Sequence, residues 1–292
     1  KEKGRKSKRN NFLTINNINN HSDNPLPKNE NILVIGENGI GDEIFCFQFL
    51  KNLAVDYKSV VWACDPKLLP LFSSNLPENT RCIDKQSISE HSDGRYVLFS
   101  WELVRIYGGS STNWSNVPYL KSSDELSSKL KKKYTGAEKK KIIGVAWRSE
   151  RNGELLSDKS CPIETREIWG PLFKKENIQF TSLQYGETQT EVSNIQSLYG
   201  VGVYQDQEIN IYDDVYAAAS QISACDLIIT ISTTTAHLAR ALKKPTILLL
   251  HKDSFVHWEF PSSDNFKKLK QKELGDWTSM EGDLREKIEE LL

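Results

Sequence analysis

Four consecutive hydroxyl side chains, Ser232, Thr233, Thr234 and Thr235, precede His237 and form the sequence's densest cluster of groups able to hold an anion. At a helix N-terminus such hydroxyls add to backbone N–H groups and the positive end of the helix dipole, a combination best suited to phosphate. His237 falls in the first turn, within reach of the same anion. An N-cap with spare threonines and a packing histidine accounts for the same residues without a ligand. A second candidate is Gly36-Glu37-Asn38-Gly39-Ile40-Gly41-Asp42-Glu43. Its glycines permit a tight turn and close approach of a ligand to the backbone, with Gly39 and Gly41 nearest the helix start. Asp42 reads either as a cap favoured by the dipole or as a general base at the carboxyl end of a strand. Trp147-Arg148 supplies a cation at another strand end, able to neutralise a diphosphate if its strand lies beside the hydroxyl turn.

These residues need strands and helices to present them. Asp226–Leu250 reads as strand, hydroxyl turn capped by Ser232, helix from Ala236, a stop at Pro245 and a second buried strand. Parallel strands joined by a right-handed helical crossover follow from that order. The run Asn31–Gly36 is another buried strand, leading into a helix from about Asp42 to Ala54. Further strands are expected at 59–63, 81–83, 95–100, 141–147, 178–184 and 267–269, with a closing helix from about Met280. Val117–Leu120 is expected to close the first half, and the lysine-rich stretch 121–141 to hold the domain boundary. Residues 148–160 read as a long polar loop, and 251–261 as an aromatic-rich loop.

Composition removes several classes. The 292 residues suffice for two domains, and 38 basic against 39 acidic side chains leave a net charge of −1. Nothing global therefore argues for nucleic acid or an acidic membrane surface. No apolar run is long enough for a transmembrane helix, and no secretory signal is visible. The five cysteines are widely spaced, without a metal-ligand pattern, and read as buried thiols in a reducing compartment. Residues 1–30, basic and then Asn-rich, read as a solvated tail or linker.

The order of GENGIGDEIFCFQFLKNLA, VPYL, GVAWRS, SLQYGE, DLIITISTTTAHLARALKKPTILLL, HWEF and the closing GDW plus helix resembles bacterial glycosyltransferases related to ADP-heptose:lipopolysaccharide heptosyltransferases (glycosyltransferase family 9). The resemblance covers roughly residues 31–292 and leans towards the subgroup often linked to tetratricopeptide repeats, which makes upstream repeats a candidate partner. It implies an α/β GT-B architecture: two Rossmann-like parallel-sheet domains facing across a cleft, at 31–135 (acceptor side) and 136–278 (nucleotide-sugar side). The helix at 279–292 would return to the first domain.

By the same resemblance Asp42 is the catalytic base, with Gly39 and Gly41 in the acceptor-side loop. Trp147, Arg148, Ser182, Gln184, Glu187, Ser232, Thr233, Thr234, Thr235 and His237 bind the donor. The implied reaction is inverting and metal-independent: a sugar moves from a nucleotide-diphosphate sugar to a glycan, lipopolysaccharide-type or protein hydroxyl. The donor is a substrate, and no cofactor is called for. The implied location is cytoplasmic, or peripheral at the inner membrane. Two departures stand out: relatives usually carry Asp-Thr where this chain has Ser232-Thr233, and usually glycine where it has Arg240. They favour an alternative, a non-catalytic nucleotide-sugar-binding module of a larger assembly. A Rossmann dehydrogenase is disfavoured, because no GxGxxG follows either opening strand.

Overall fold

The structure is a computed structural model and describes residue 9 and residues 26–91, 95–109, 117–136, 139–151, 153–254, 258–260 and 262–292. The chain divides into two units, Lys1–Ser115 and Asn116–Leu292.

In the first unit the apolar run of β1 (Asn31–Ile35) is buried from Ile32 onward, as a strand covered on both faces must be. The strands β2 (Ser59–Cys64), β3 (Thr80–Asp84) and β4 (Tyr96–Phe99) join it in a parallel sheet of order β3-β2-β1-β4. Leu33, Ile35, Val61, Ala63, Val97 and Phe99 form one buried cluster with Ile88. The helices are α1 (Ile40–Phe47), α2 (Leu50–Asp56), α3 (Leu69–Ser73) and α4 (Glu102–Tyr107). Phe47 of α1 stacks on Phe72 at 3.8 Å and meets Trp62 at 5.4 Å, which fixes α1 against β2 and α3.

The single helix expected from Asp42 to Ala54 is two. The Gln48 side-chain amide donates to Phe45 O at 2.7 Å and Phe49 N–H to Cys46 O at 3.1 Å. A tighter turn with a side chain taking a helical carbonyl interrupts the ladder there.

The second unit begins with α5 (Asp124–Thr135) and β5 (Lys141–Ala146). A short antiparallel pair, β6 (Glu150–Arg151) and β7 (Glu154–Leu155), then folds part of the expected polar loop. Next come α6 (Arg166–Phe173), β8 (Ile178–Ser182), α7 (Gln189–Tyr199), β9 (Val203–Tyr204) and α8 (Val215–Ala224). The chain ends with β10 (Leu227–Ile231), α9 (Thr234–Ala241), β11 (Thr246–Leu250), β12 (Phe266–Lys270) and α10 (Glu281–Leu291). The six-stranded parallel sheet has the order β12-β11-β10-β5-β8-β9. From β5 the chain winds outward to β9, then returns to lay β10 on the other side of β5. That reversal makes a crevice at the carboxyl ends of β5 and β10, where open α/β sheets bind ligands.

Three expectations change. The boundary falls at Ser115–Asn116, not after 135, because α5 is part of the second unit. Leu130 and Tyr134 are buried, Lys131 pairs with Asp226 at 2.7 Å, and Tyr134 Oη donates to Asp206 at 2.8 Å. The VPYL element belongs to this unit too: Tyr119 and Leu120 N–H donate to Ala241 O at 3.1 and 3.3 Å. The closing helix, expected to return to the first domain, instead sets Leu284 and Ile288 in the second unit's core with Trp169, Phe173 and Ile247. Its narrow apolar stripe, four residues apart, is taken up there. Of the tail expected at 1–30, residues 1–8 and 10–25 lie outside the described residues, as do 255–257 and 261 of the aromatic loop.

Candidate functional site

Three strand ends meet at the carboxyl edge of the second sheet. Trp147 and Arg148 follow β5, Ser182 ends β8 and Leu183 to Glu187 follow it, and Ser232 to Thr235 follow β10. Gln184 ties the first two together: its Oε1 accepts from the N–H groups of Trp147 at 3.0 Å and Arg148 at 2.9 Å. Thr235 Oγ1 links the third by donating to Leu183 O at 3.4 Å.

The cap of α9 is Thr233 rather than the expected Ser232, and the helix begins at Thr234, ahead of the expected Ala236. Thr233 is 8% exposed, and its Oγ1 has no hydrogen-bond partner among the described residues. At a helix start this hydroxyl adds to the free N–H groups, and the chemistry there suits an anion. Ser232 Oγ accepts from Trp258 Nε1 at 2.7 Å, while the His237 ring stacks on Trp258 at 4.4 Å. Trp258 thus fixes both polar side chains flanking the cap. Arg240 is buried, its guanidinium 4.5 Å from the Phe260 ring centroid and 5.8 Å from that of Tyr119, where it holds aromatic packing together.

Arg148 departs from the expected role. Its Nε donates to Glu191 Oε2 at 2.9 Å, its Nη2 to Glu187 O at 2.7 Å, and its Nη1 pairs with Glu150. Two carboxylates already compensate the charge that was expected to face a diphosphate. Glu191 also accepts from Trp147 Nε1 at 2.8 Å, so Arg148 and Trp147 brace the loops after β5 and β8. Gly186, at φ +80°, lets that loop turn beside the guanidinium.

Beside these strand ends lies a pocket of about 390 Å³ lined by Ser182, Gln184, Glu187, Asp206, Asn210 and Tyr212 among others. That size and polar lining fit a nucleoside or sugar. The sequence reading missed its far wall at 205–212, because β9 is two residues long and gives no periodic signal. Burial pushes the Asp206 carboxyl up, but bonds from Lys133 and Tyr134 overcome it and hold the group below its ordinary value.

In the first unit Asp42 stands in the first turn of α1. Its Oδ2 accepts from Gly39 N–H at 3.3 Å, so it caps its own helix while staying partly exposed. Glu43 points the other way, fully buried against Lys85, and accepts from Asp65 N–H at 3.2 Å. Gly36 must be glycine, since a Cβ there would overlap the Glu43 carboxylate. The sequence gives the two acids no distinguishing mark beyond their place on the helix.

With two doubly sided parallel sheets and these strand-end sites in view, the architecture is that of the GT-B glycosyltransferases, as a search of solved structures shows. A family 9 glycosyl transferase from Veillonella parvula superposes over 92% of this chain and 99% of its own, with TM-score 0.66 and 13% identity. The E. coli ADP-heptose lps heptosyltransferase II matches over 89% of this chain and 98% of its own, with TM-score 0.64 and 16% identity. E. coli heptosyltransferase WaaC, solved with ADP, matches over 90% and 100%, with TM-score 0.57 and 12% identity. No protein-family model matches the sequence. Among curated proteins, FlbA of Caulobacter vibrioides is 26% identical over 114 residues, 39% of this chain and 19% of FlbA. The chain therefore spans about a fifth of that relative's length. No helix among the described residues is long and apolar enough to cross a membrane.

Proposed function

We propose that this protein is a glycosyltransferase that moves a sugar from a nucleotide-diphosphate sugar to an acceptor hydroxyl. The buried, unpartnered Thr233 hydroxyl at the start of α9, in the crevice between β5 and β10, carries the reading. The diphosphate sits at that helix start, where N–H dipoles and hydroxyls offset its charge without requiring a metal. The nucleoside occupies the adjoining pocket. Asp42 takes the acceptor's hydroxyl proton, the freed oxygen attacks the anomeric carbon, and the bond to the diphosphate breaks with inversion. Arg148 positions the donor loops rather than touching phosphate. The donor classes named for the similar structures, ADP and ADP-heptose, make adenine nucleotides the first to try.

The test is a thermal-shift screen with ADP-, GDP-, UDP- and TDP-sugars, followed by product analysis with the nucleotide that binds. A shift from one nucleotide that Thr233→Val removes is expected. No shift from any nucleotide sinks the reading. The compensated charge of Arg148 favours one competing account, a binding module without turnover. Donor hydrolysis by the wild-type chain that Asp42→Asn abolishes decides against that account.

A further inference from the structure

Of the first 25 residues the structure describes Arg9, and its guanidinium lies at the carboxyl ends of β1 and β4. In the order β3-β2-β1-β4 this is where the first sheet's winding reverses, the counterpart of the crevice between β5 and β10. Arg9 Nε and Nη2 donate to Glu37 Oε1 and Oε2 at 2.9 and 2.7 Å. Its Nη1 donates to Glu102 Oε1 at 3.0 Å, and its Cζ stands 4.5 Å from the Phe99 ring centroid.

The receiving groups are aimed by the first unit's own backbone. Trp101 N–H donates to Glu37 Oε2 at 3.3 Å, and Phe99 N–H to Glu102 Oε2 at 2.7 Å. Glu37 N–H in turn donates to Ser100 Oγ at 3.1 Å. The two acid side chains are only 10% and 6% exposed, so their negative charges need a cation between them. A planar guanidinium answers one bidentate carboxylate, a second carboxylate and an aromatic face together, which a point-like ammonium does less well.

We propose that Glu37, Glu102 and Phe99 form a guanidinium-recognition subsite, filled in cis by Arg9 and in trans by an arginine side chain of a peptide or protein partner. Glu37 lies in the turn that carries Asp42, so an arginine held there brings its own chain to the candidate base. Use of the subsite for an acceptor rests on the glycosyl-transfer reading; arginine binding itself does not, and the two fail separately.

The experiment titrates N-acetyl-L-arginine methylamide, with no nucleotide present, into the full chain and its Arg9→Ala variant by calorimetry. A tethered competitor acts at an effective concentration in the millimolar range, so removing Arg9 should tighten the probe's apparent affinity by about tenfold or more. Adding Glu37→Gln to Arg9→Ala should remove the binding, and the lysine analogue should bind more weakly than the arginine probe. Equal or absent binding in both chains, or binding that survives Glu37→Gln, overturns the proposal. If Arg9→Ala does not fold alone, recovery of a cooperative melt on adding the probe supports the subsite, and failure to recover it overturns it.

Discussion

Burial pushes the Glu43 carboxyl up from its ordinary value of 4.5 to about 7, against the opposing pull of Lys85 and the Asp65 N–H. The folded chain thus binds this proton more tightly than the unfolded chain does. Its contribution is fully present below pH 4.5 and is lost as pH rises through about 7. For a group this deeply buried the loss is on the order of 3 kcal/mol. The wild-type melting temperature should therefore fall between pH 5 and 8 more than that of Glu43→Gln, as measured by calorimetric scans; parallel profiles would remove Glu43 as the cause. The neighbouring Asp42 calls for a different test. Asn at that position can still accept from Gly39 N–H but cannot take up a proton. Asp42→Asn should preserve the melt and nucleotide binding while lowering turnover by about 10²–10⁴-fold. A matching loss of nucleotide binding would make Asp42 a structural cap. The Gly36–Glu43 segment was legible as a strand-to-helix turn from its glycines and acids alone. What was not legible is which acid faces inward, since that depends on Lys85 and Asp65, which lie just past the ends of β3 and β2.

Elements with dense apolar signals were read correctly from the chain: β1, β5, β10 and β11 are each marked by an apolar run. Amphipathic helices with few apolar residues were harder, because their partners decide where they pack. In α5 the lysines suggested a boundary, yet Leu130 and Tyr134 suffice to anchor it, and its charges meet Asp206 and Asp226. For α10 the resemblance pointed to the first domain, whereas the core containing Trp169 and Phe173 receives its sparse apolar stripe. Ile288, fully buried, contributes to that core, so Ile288→Ala should cost about 2–5 kcal/mol in chemical denaturation. A cost near zero would mean that α10 frays without affecting the sheet. Arg148 shows the limit of local reading most sharply. A cation at a strand end is visible in sequence, but Glu150 and Glu191, which compensate it, come from β6 and α7.

At the scale of the molecule, the second unit has its own six-stranded sheet, core and pocket. A fragment 116–292 is therefore expected to unfold cooperatively and to keep the nucleotide-induced thermal shift. A non-cooperative melt would show that its fold depends on residues upstream. Both sheets follow one winding, β3-β2-β1-β4 and β9-β8-β5-β10, so the strand ends after β4 and β10 are equivalent places in two repeats of one plan. The helix after β4 opens with Glu102, whereas the helix after β10 opens with Thr234 and has no acid in its first turn. On the two proposals made above, Glu102 with Glu37 sets the first crevice for a cation, and the hydroxyls at the start of α9 set the second for an anion. Thr234→Glu should accordingly turn the second crevice against nucleotides, abolishing the thermal shift while the helix start, which favours carboxylates, keeps the fold intact. On that reading the chain carries a pair of charge selectors, alike in sheet order and reversed in sign.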